Sequence, residues 1–440
     1  MTTPTRPIPA HVRRPGQGRR ARPRQRGVAI IAVLVALSVV MVIGNEFSTN
    51  TNVDLTAAAN HRDAMRAQFL ARSALNLSEL VIRLQQRLDN VKQLGGIQIT
   101  DFADQLMLAF CGSAEEVKDA IGLPTDQVKG LGADIGTCGA VAIDTDDGKI
   151  NLNCANGNAT TVATLKTRLD ALMFFPAYDP IFQEEDATGW RRDRELQATA
   201  LIDYVDKDRG RHGTPGASED YGYESRKDEY KAKDNYLDTV GEIRQIRGVD
   251  DRFWTVFGNA LTVHGGCKSN VGAVRDPNLI ASLIYLAAKD PADPVVQDPN
   301  RLWTLAGLVA QARNLGLSFG TLEDFIEFVK DPAAAMAAGT AAAGDATGQT
   351  PQLPGIAPGT KVGVELDPQK LGQIAEAGPR RTYRVEVYGE IDRKAKYPDG
   401  TPIYPAIRRS INAVWDTKVV TQNARNPQVK NGTWVYLRED

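Results

Sequence analysis

Eighteen consecutive residues without a charge, Val28 to Asn45 (VAIIAVLVALSVVMVIGN), constrain this chain more than any other feature. At about 1.5 Å per residue, a helix of that length spans roughly 27 Å, the lower limit for crossing the hydrocarbon of a bilayer. Arg19, Arg20, Arg22, Arg24 and Arg26 stand immediately before it. A basic flank stays on the cytoplasmic side, so everything after Glu46 is expected across the membrane. A cleaved secretory signal would have a shorter apolar stretch ending in an A-x-A-like site, whereas this one runs on into IGNEFSTN, which favours a retained anchor. Residues 1 to 27 carry eight Arg and no acid, which leaves 44 basic against 54 acidic residues in the rest. That acidic bulk argues against binding nucleic acid.

From Glu46 to Leu94 there is no Pro, and Leu70, Ala74, Leu77, Val81, Leu84, Leu88 and Val91 recur in steps of four and three. This is the stripe of an amphipathic helix, stopped by Gly95 and Gly96. Unbroken, Val28 to Leu94 makes a rod of about 100 Å, apolar all round in its first part and one-sided in its second.

Beyond the rod, Ala140–Ile143 and Lys149–Asn153 read as short strands about a tight turn at Asp147 and Gly148, hence a hairpin packed on the helix. Asp144, Asp146 and Asp147 are explained by that turn more simply than by a metal. Leu165 to about Lys330 carries six helical patterns, a separate α domain inserted in the chain. Residues 332–360, rich in Ala, Gly, Thr and Pro, read as a flexible connection. Strand alternation returns at 381–391, 406–415 and 433–437, with a Pro-Asp-Gly turn at 398–400. These strands are expected to complete the sheet begun by the hairpin. The expected fold is α+β: a long N-terminal helix on an antiparallel sheet with a large inserted all-α domain. The boundaries are a leader 1–27, helix 28–95, first sheet part 96–160, α domain 161–330, linker 331–361 and closing strands 362–440.

A short basic leader ending in Gly27, a charge-free helix beginning at Val28 and an amphipathic continuation resemble the type IV pilin and pseudopilin class. That resemblance implies cleavage between Gly27 and Val28 by a prepilin peptidase, with Val28 as a new, N-methylated terminus. Most members carry Glu at the fifth mature position, and here that position is Ala32. Lack of that Glu together with large size resembles the type II secretion system protein K family, minor pseudopilins at the filament tip. The segment 201–266 resembles the same family: Asp206-x-Asp208, the turn from Gly216 to Tyr223, Leu237 to Ile243, Arg247-Gly248 and Thr262-Val263. Ser218 interrupts the family's Gly-Ala-Glu, so either Glu219 or Asp220 fills the acidic role.

Asp206, Asp208, Glu219 and Asp220, with help from Asp228 or Asp234, offer hard oxygen ligands in a Gly-rich loop with little apolar content, a setting that Ca²⁺ can order. The loop is not an EF-hand, because Ala217 and Arg211 stand where that motif needs a carboxylate and a Gly. Cys111, Cys138, Cys154 and Cys267 lack C-x-x-C spacing, and with only four scattered His this argues against a zinc site. Outside the cytoplasm they are disulfide candidates, with three full pairings open and Cys138–Cys154 placed nearly symmetrically about the expected turn. No G-x-S-x-G, H-E-x-x-H or Gly-Lys-Ser/Thr motif occurs. The resemblance to the protein K family implies a structural role: a single-pass inner-membrane subunit, bulk periplasmic, that caps and initiates a secretion pseudopilus with minor pseudopilins I and J. The alternatives are a minor pilin of a type IV pilus or competence system, and a membrane-tethered periplasmic hydrolase.

Overall fold

The structure is a computed structural model that describes residues 26–89, 98–111, 136–185, 193–214, 216–220, 223, 229–314, 319–336, 361–392, 405–419 and 432–440. The expected turn at Pro398–Gly400, Asp228, the leader up to Gln25 and most of the 332–360 connection lie outside the described residues.

The chain divides into two compact units, up to Arg62 and from Asp63 onward. The first unit holds the start of helix α1 (Arg26–Asp89), a helix that contains an 18-residue window of mean hydropathy 2.7, none of it buried. The helix is long and apolar enough to cross a membrane.

In the second unit, the end of α1 and helix α2 (Ala103–Cys111) pack on an antiparallel sheet of order β1-β6-β7-β8, formed by Thr137–Thr145, Thr382–Ile391, Ile407–Asp416 and Thr433–Glu439. The buried line along α1 is Ala67, Ala71, Ala74, Ser78, Ile82 and Gln85, whereas Leu70, Leu77 and Val81 only flank it and Leu84 is exposed. The expected stripe is thus displaced, and the cause is close approach. A side chain on Gly389 of β6 would stand 2.1 Å from the carbonyl oxygen of Ala67 and 2.5 Å from the nitrogen of Ala71, so only small residues fit where helix meets strand.

The helical domain holds the larger core. Its helices are α3 (Ala159–Leu172), α4 (Asp179–Gln183), α5 (Arg194–Asp203), α6 (Asp251–Phe257), α7 (Pro277–Ala287), α8 (Pro294–Gln297), α9 (Pro299–Asn314), α10 (Leu322–Lys330) and α11 (Pro368–Ile374). An aromatic cluster sits at its centre, where Phe257 meets Tyr178, Phe182 and Phe253 with ring centroids 4.8 to 6.2 Å apart. As expected, the domain is inserted between strands of one sheet.

Three expectations need correction. The hairpin does not form: β1 pairs along its length with β6, while β2 (Ile150–Asn151) pairs in parallel with β3 (Leu261–Thr262). A side chain on Gly148 would lie 2.7 Å from the backbone of Val274, so the turn is pressed against the helical domain and leads the chain into it. Second, the helical domain reaches past 161–330 at both ends. Its core already includes Ile150, Leu152 and Cys154, and it closes with Val364, Leu366, Leu371, Ile374 and Ala375. The parallel pair β4 (Ser269–Asn270) with β5 (Ala375–Glu376) fixes that return. The closing sheet strands therefore begin at Thr382, not at 362. Third, residues 332–336 are helical and Met336 is 6% exposed, so the linker does not start at 331.

Each part carries one disulfide, Cys111–Cys138 between α2 and β1 and Cys154–Cys267 within the helical domain. The symmetric pairing Cys138–Cys154 is absent, because the hairpin that would have aligned it does not exist.

Candidate metal centre

Helix α5 begins at Asp193, whose carboxylate accepts the N–H of Leu196, and buries Ala198, Leu201 and Ile202. The same buried face carries Asp203 at its last position, 6% exposed. The turn that follows, with the N–H groups of Val205 and Asp206 bonded to the carbonyl of Ile202, brings Asp206 round beside it. The chain then runs out and returns. A bridge between Gly210 and Ser218, and the bond from Arg211 N to Ala217 O, close a small loop with left-handed Gly213 (φ 74°) and Gly216 (φ 81°). That closure delivers Glu219 to the two aspartates.

One carboxylate oxygen each from Asp203, Asp206 and Glu219 lies within 4.8 Å of the other two. All three residues are under 9% exposed, and Asp206 Oδ1 and both Glu219 oxygens are buried without a hydrogen-bond partner. Asp234 Oδ1 is a fourth such atom. The adjoining cavity, lined by Asp203, Arg211, Ser218, Glu219 and Tyr223 among others, has a volume of about 30 Å³, room for one ion or water.

Burial first, then the neighbouring carboxylates, push the acids up: Asp203 to about 6, Asp206 to about 7 and Glu219 to about 9. For Asp203, the N–H of His212, bonded to Oδ1 at 2.9 Å, works against the rise. Buried, unpaired acid oxygens facing one another are costly unless a cation or a proton stands between them. Hard, all-oxygen donors suit Ca²⁺, so the residues present fit the ion.

Of the four acids picked out in the sequence, two converge here and two do not. Asp208 Oδ1 accepts the N–H of Gly210 at 2.8 Å and builds the turn. Asp220 accepts from Ala232 N at 3.3 Å and lies 3.9 Å from Lys231 Nζ. The acid that completes the Gly-Ala-Ser turn is therefore Glu219. Asp203 went unrecognised because it ends a helical pattern, although its spacing of three from Asp206 was the available signal.

The aspartates of 144–147 serve another purpose. Asp146 meets Lys149 at 2.9 Å, Arg384 at 2.8 Å and Thr262 Oγ1 at 2.9 Å. Asp147 accepts the N–H groups of Arg381 and Thr382, and Asp144 lies 3.4 Å from Arg275. They clasp the helical domain to the sheet. At the other end of the chain, α1 runs through Gly27 and Val28 without interruption.

Residues 148–264, which contain the acid cluster, match the family model of type II secretion system (T2SS) protein K. No curated protein matches the chain. Among solved structures, a chain of the GspK–GspI–GspJ complex from the enterotoxigenic Escherichia coli type 2 secretion system is similar at 14% identity, covering 87% of this chain and 99% of that one, with a TM-score of 0.45.

Proposed function

Since residues 148–264 match type II secretion system protein K, we propose that this chain is a minor pseudopilin of a type II secretion machine, acting by assembly. The observation that carries the reading is this match in a chain whose N-terminal helix has the length and hydropathy to cross a membrane. The anchor holds the subunit in the inner membrane with its bulk in the periplasm. Prepilin peptidase removes the leader between Gly27 and Val28, and Val28 becomes the methylated terminus.

The partners are the minor pseudopilins I and J, met through laterally packed helices. Met65, Phe69, Leu80 and Leu84 of α1 support this, because they fall within one stripe about 100° wide and are 42 to 62% exposed. A helical domain reaching from Ile150 to Ala375 is too bulky to repeat at each filament position, which favours a single terminal place.

We further infer that the cluster takes Ca²⁺, held by Asp203, Asp206 and Glu219. The ion supplies positive charge to oxygens otherwise unpaired, and so fixes the returning loop 210–219 against α5. Sequencing the mature N-terminus from membranes tests the anchor: Val28 is expected, and Met1 or any residue beyond Asn45 refutes it. Copurification with pseudopilins I and J tests the assembly, and capture by type IV pilus components instead refutes it.

A further inference from the structure

The end of α3, the turn that follows it and the start of α5 border an open basin of about 470 Å³, within the range of small-ligand sites, roughly 300–1,000 Å³. It lies at the opposite end of α5 from Asp203 and the acid cluster. Its walls combine one aromatic ring, Phe174, with the charged side chains of Lys166, Asp170, Asp179, Arg194 and Glu195. Phe174 is held from two sides. Its ring stacks on Tyr285, with centroids 4.3 Å and planes 25° apart, and meets the buried Phe175 edge-on at 5.8 Å. Arg194 is fixed as well: Nε donates to the carbonyl of Met173 at 2.7 Å, Nη2 donates to the carbonyl of Phe175 at 3.1 Å and pairs with Asp179, and the guanidinium stands 5.0 Å from the centre of the Phe182 ring.

The charges of the basin are already balanced against one another. Lys166 Nζ lies 3.0 Å from Asp170 and 3.9 Å from Glu195, and Arg194 holds Asp179. The one acid in excess, Glu195, is 80% exposed, where water screens it. An ion of either sign therefore finds no unmatched partner. Hydrogen-bonding capacity remains, because Asp170 and Asp179 each engage a single carboxylate oxygen, and Arg194 Nη1 makes no hydrogen bond among the described residues. A rigid aromatic ring beside fixed acceptors and a fixed donor suits a neutral ligand with C–H groups on one face and hydroxyls, each able to donate and accept, around its rim.

We propose that this basin binds a neutral saccharide, with Phe174 as the platform for the C–H face of a sugar ring and with Asp170, Asp179 and Arg194 as partners for its hydroxyls. The site does not rest on the secretion reading, and it does not use the acid cluster.

The test is titration of the full chain, solubilised in an oxyethylene detergent that carries no sugar, with EDTA present so that the acid cluster takes no part. The probes are chitotriose and maltotriose, followed by saturation-transfer NMR and by thermal unfolding, with glycerol at matched hydroxyl concentration as the control. One or both trisaccharides are expected to bind saturably and to raise the unfolding midpoint as a ligand of the folded state does, and glycerol is not. The response is expected to survive sodium chloride at about 0.5 M, since a neutral ligand carries no charge to screen. Phe174→Ala removes the platform and is expected to weaken binding about tenfold or more. Asp170→Ala, at a half-exposed position that leaves the fold intact, gives a second reading with a loss of about tenfold. Tyr236→Ala, which removes an exposed aromatic outside the basin, is expected to leave the affinity unchanged. Failure of both trisaccharides to bind saturably overturns the proposal, as does a response equalled by glycerol or abolished by salt. Undiminished binding in either Phe174→Ala or Asp170→Ala overturns it as well.

Discussion

Replacing Glu219 by glutamine separates what the ion-free and ion-loaded proteins require. In the chelated protein Glu219 is pushed up to about 9, so at pH 7 it already carries a proton and Gln is nearly its equivalent. An acid whose folded value lies above its unfolded one stabilises the fold only while protonated. That contribution is present at low pH and is lost as pH rises from the unfolded value of about 4 through the folded ones. Those folded values are about 6 for Asp203, 7 for Asp206 and 9 for Glu219. The chelated wild type is therefore expected to lose stability between pH 4 and 9, and Glu219→Gln to lose less of it above pH 7. Loading the cation reverses the comparison, because coordination needs the ionised oxygen. Removing one member of a buried charge set costs about 3 kcal/mol, on the order of 100-fold in affinity. With calcium at about 100 times the wild-type Kd, linkage stabilises the wild type by about 2.7 kcal/mol and the variant by about 0.4 kcal/mol. Calorimetric titration gives the affinities, and urea unfolding with and without calcium gives the stabilities. Equal calcium stabilisation of both proteins refutes the reasoning, as does a chelated wild type whose stability is flat from pH 5 to 9.

Asp208→Ala, which removes a turn acceptor outside the cluster together with a negative charge that raises Asp206, is expected to weaken calcium binding by the same titration, but by less than Glu219→Gln does. Asp147→Ala leaves the N–H groups of Arg381 and Thr382 without their acceptor, at about 1–3 kcal/mol each, while Asp147→Asn keeps one acceptor and loses about 1 kcal/mol; urea unfolding measures both. Loss of Cys154–Cys267, which closes 113 residues, is expected to destabilise by about 5 kcal/mol, and loss of Cys111–Cys138, which closes 27, by about 4 kcal/mol. Serine pairs at each bridge, unfolded in urea, check that order.

Some of this protein was legible from its residues because local rules decide it. A charge-free run is apolar on every side whatever it packs against, so α1 and its membrane-crossing length follow from Val28–Asn45 alone. Period-two alternation at 381–391 and 406–415 marks strands for the same reason, and β6 and β7 lie there. The inserted helices follow from their period of 3.6. The candidate site was half legible: an acidic, Gly-rich loop with Asp206 and a choice between Glu219 and Asp220 stood out by composition.

What the residues left open are the pairings between distant segments. Nothing local in Asp144–Gly148 says that its carboxylates will meet Arg381, Thr382 and Arg384, more than 230 positions later, instead of closing a hairpin. The same holds for Gly389, which selects the Ala67–Ala71 face of α1, and for the bridge from Cys154 to Cys267. Asp203 joined the acid cluster only once α5 ended against the loop that carries Glu219. Sequence period and composition fix which side of a segment is apolar and where the chain can turn. Which acid finds a partner, and which is left facing another acid, depends on close packing between elements far apart in the chain, and only the folded structure holds that information.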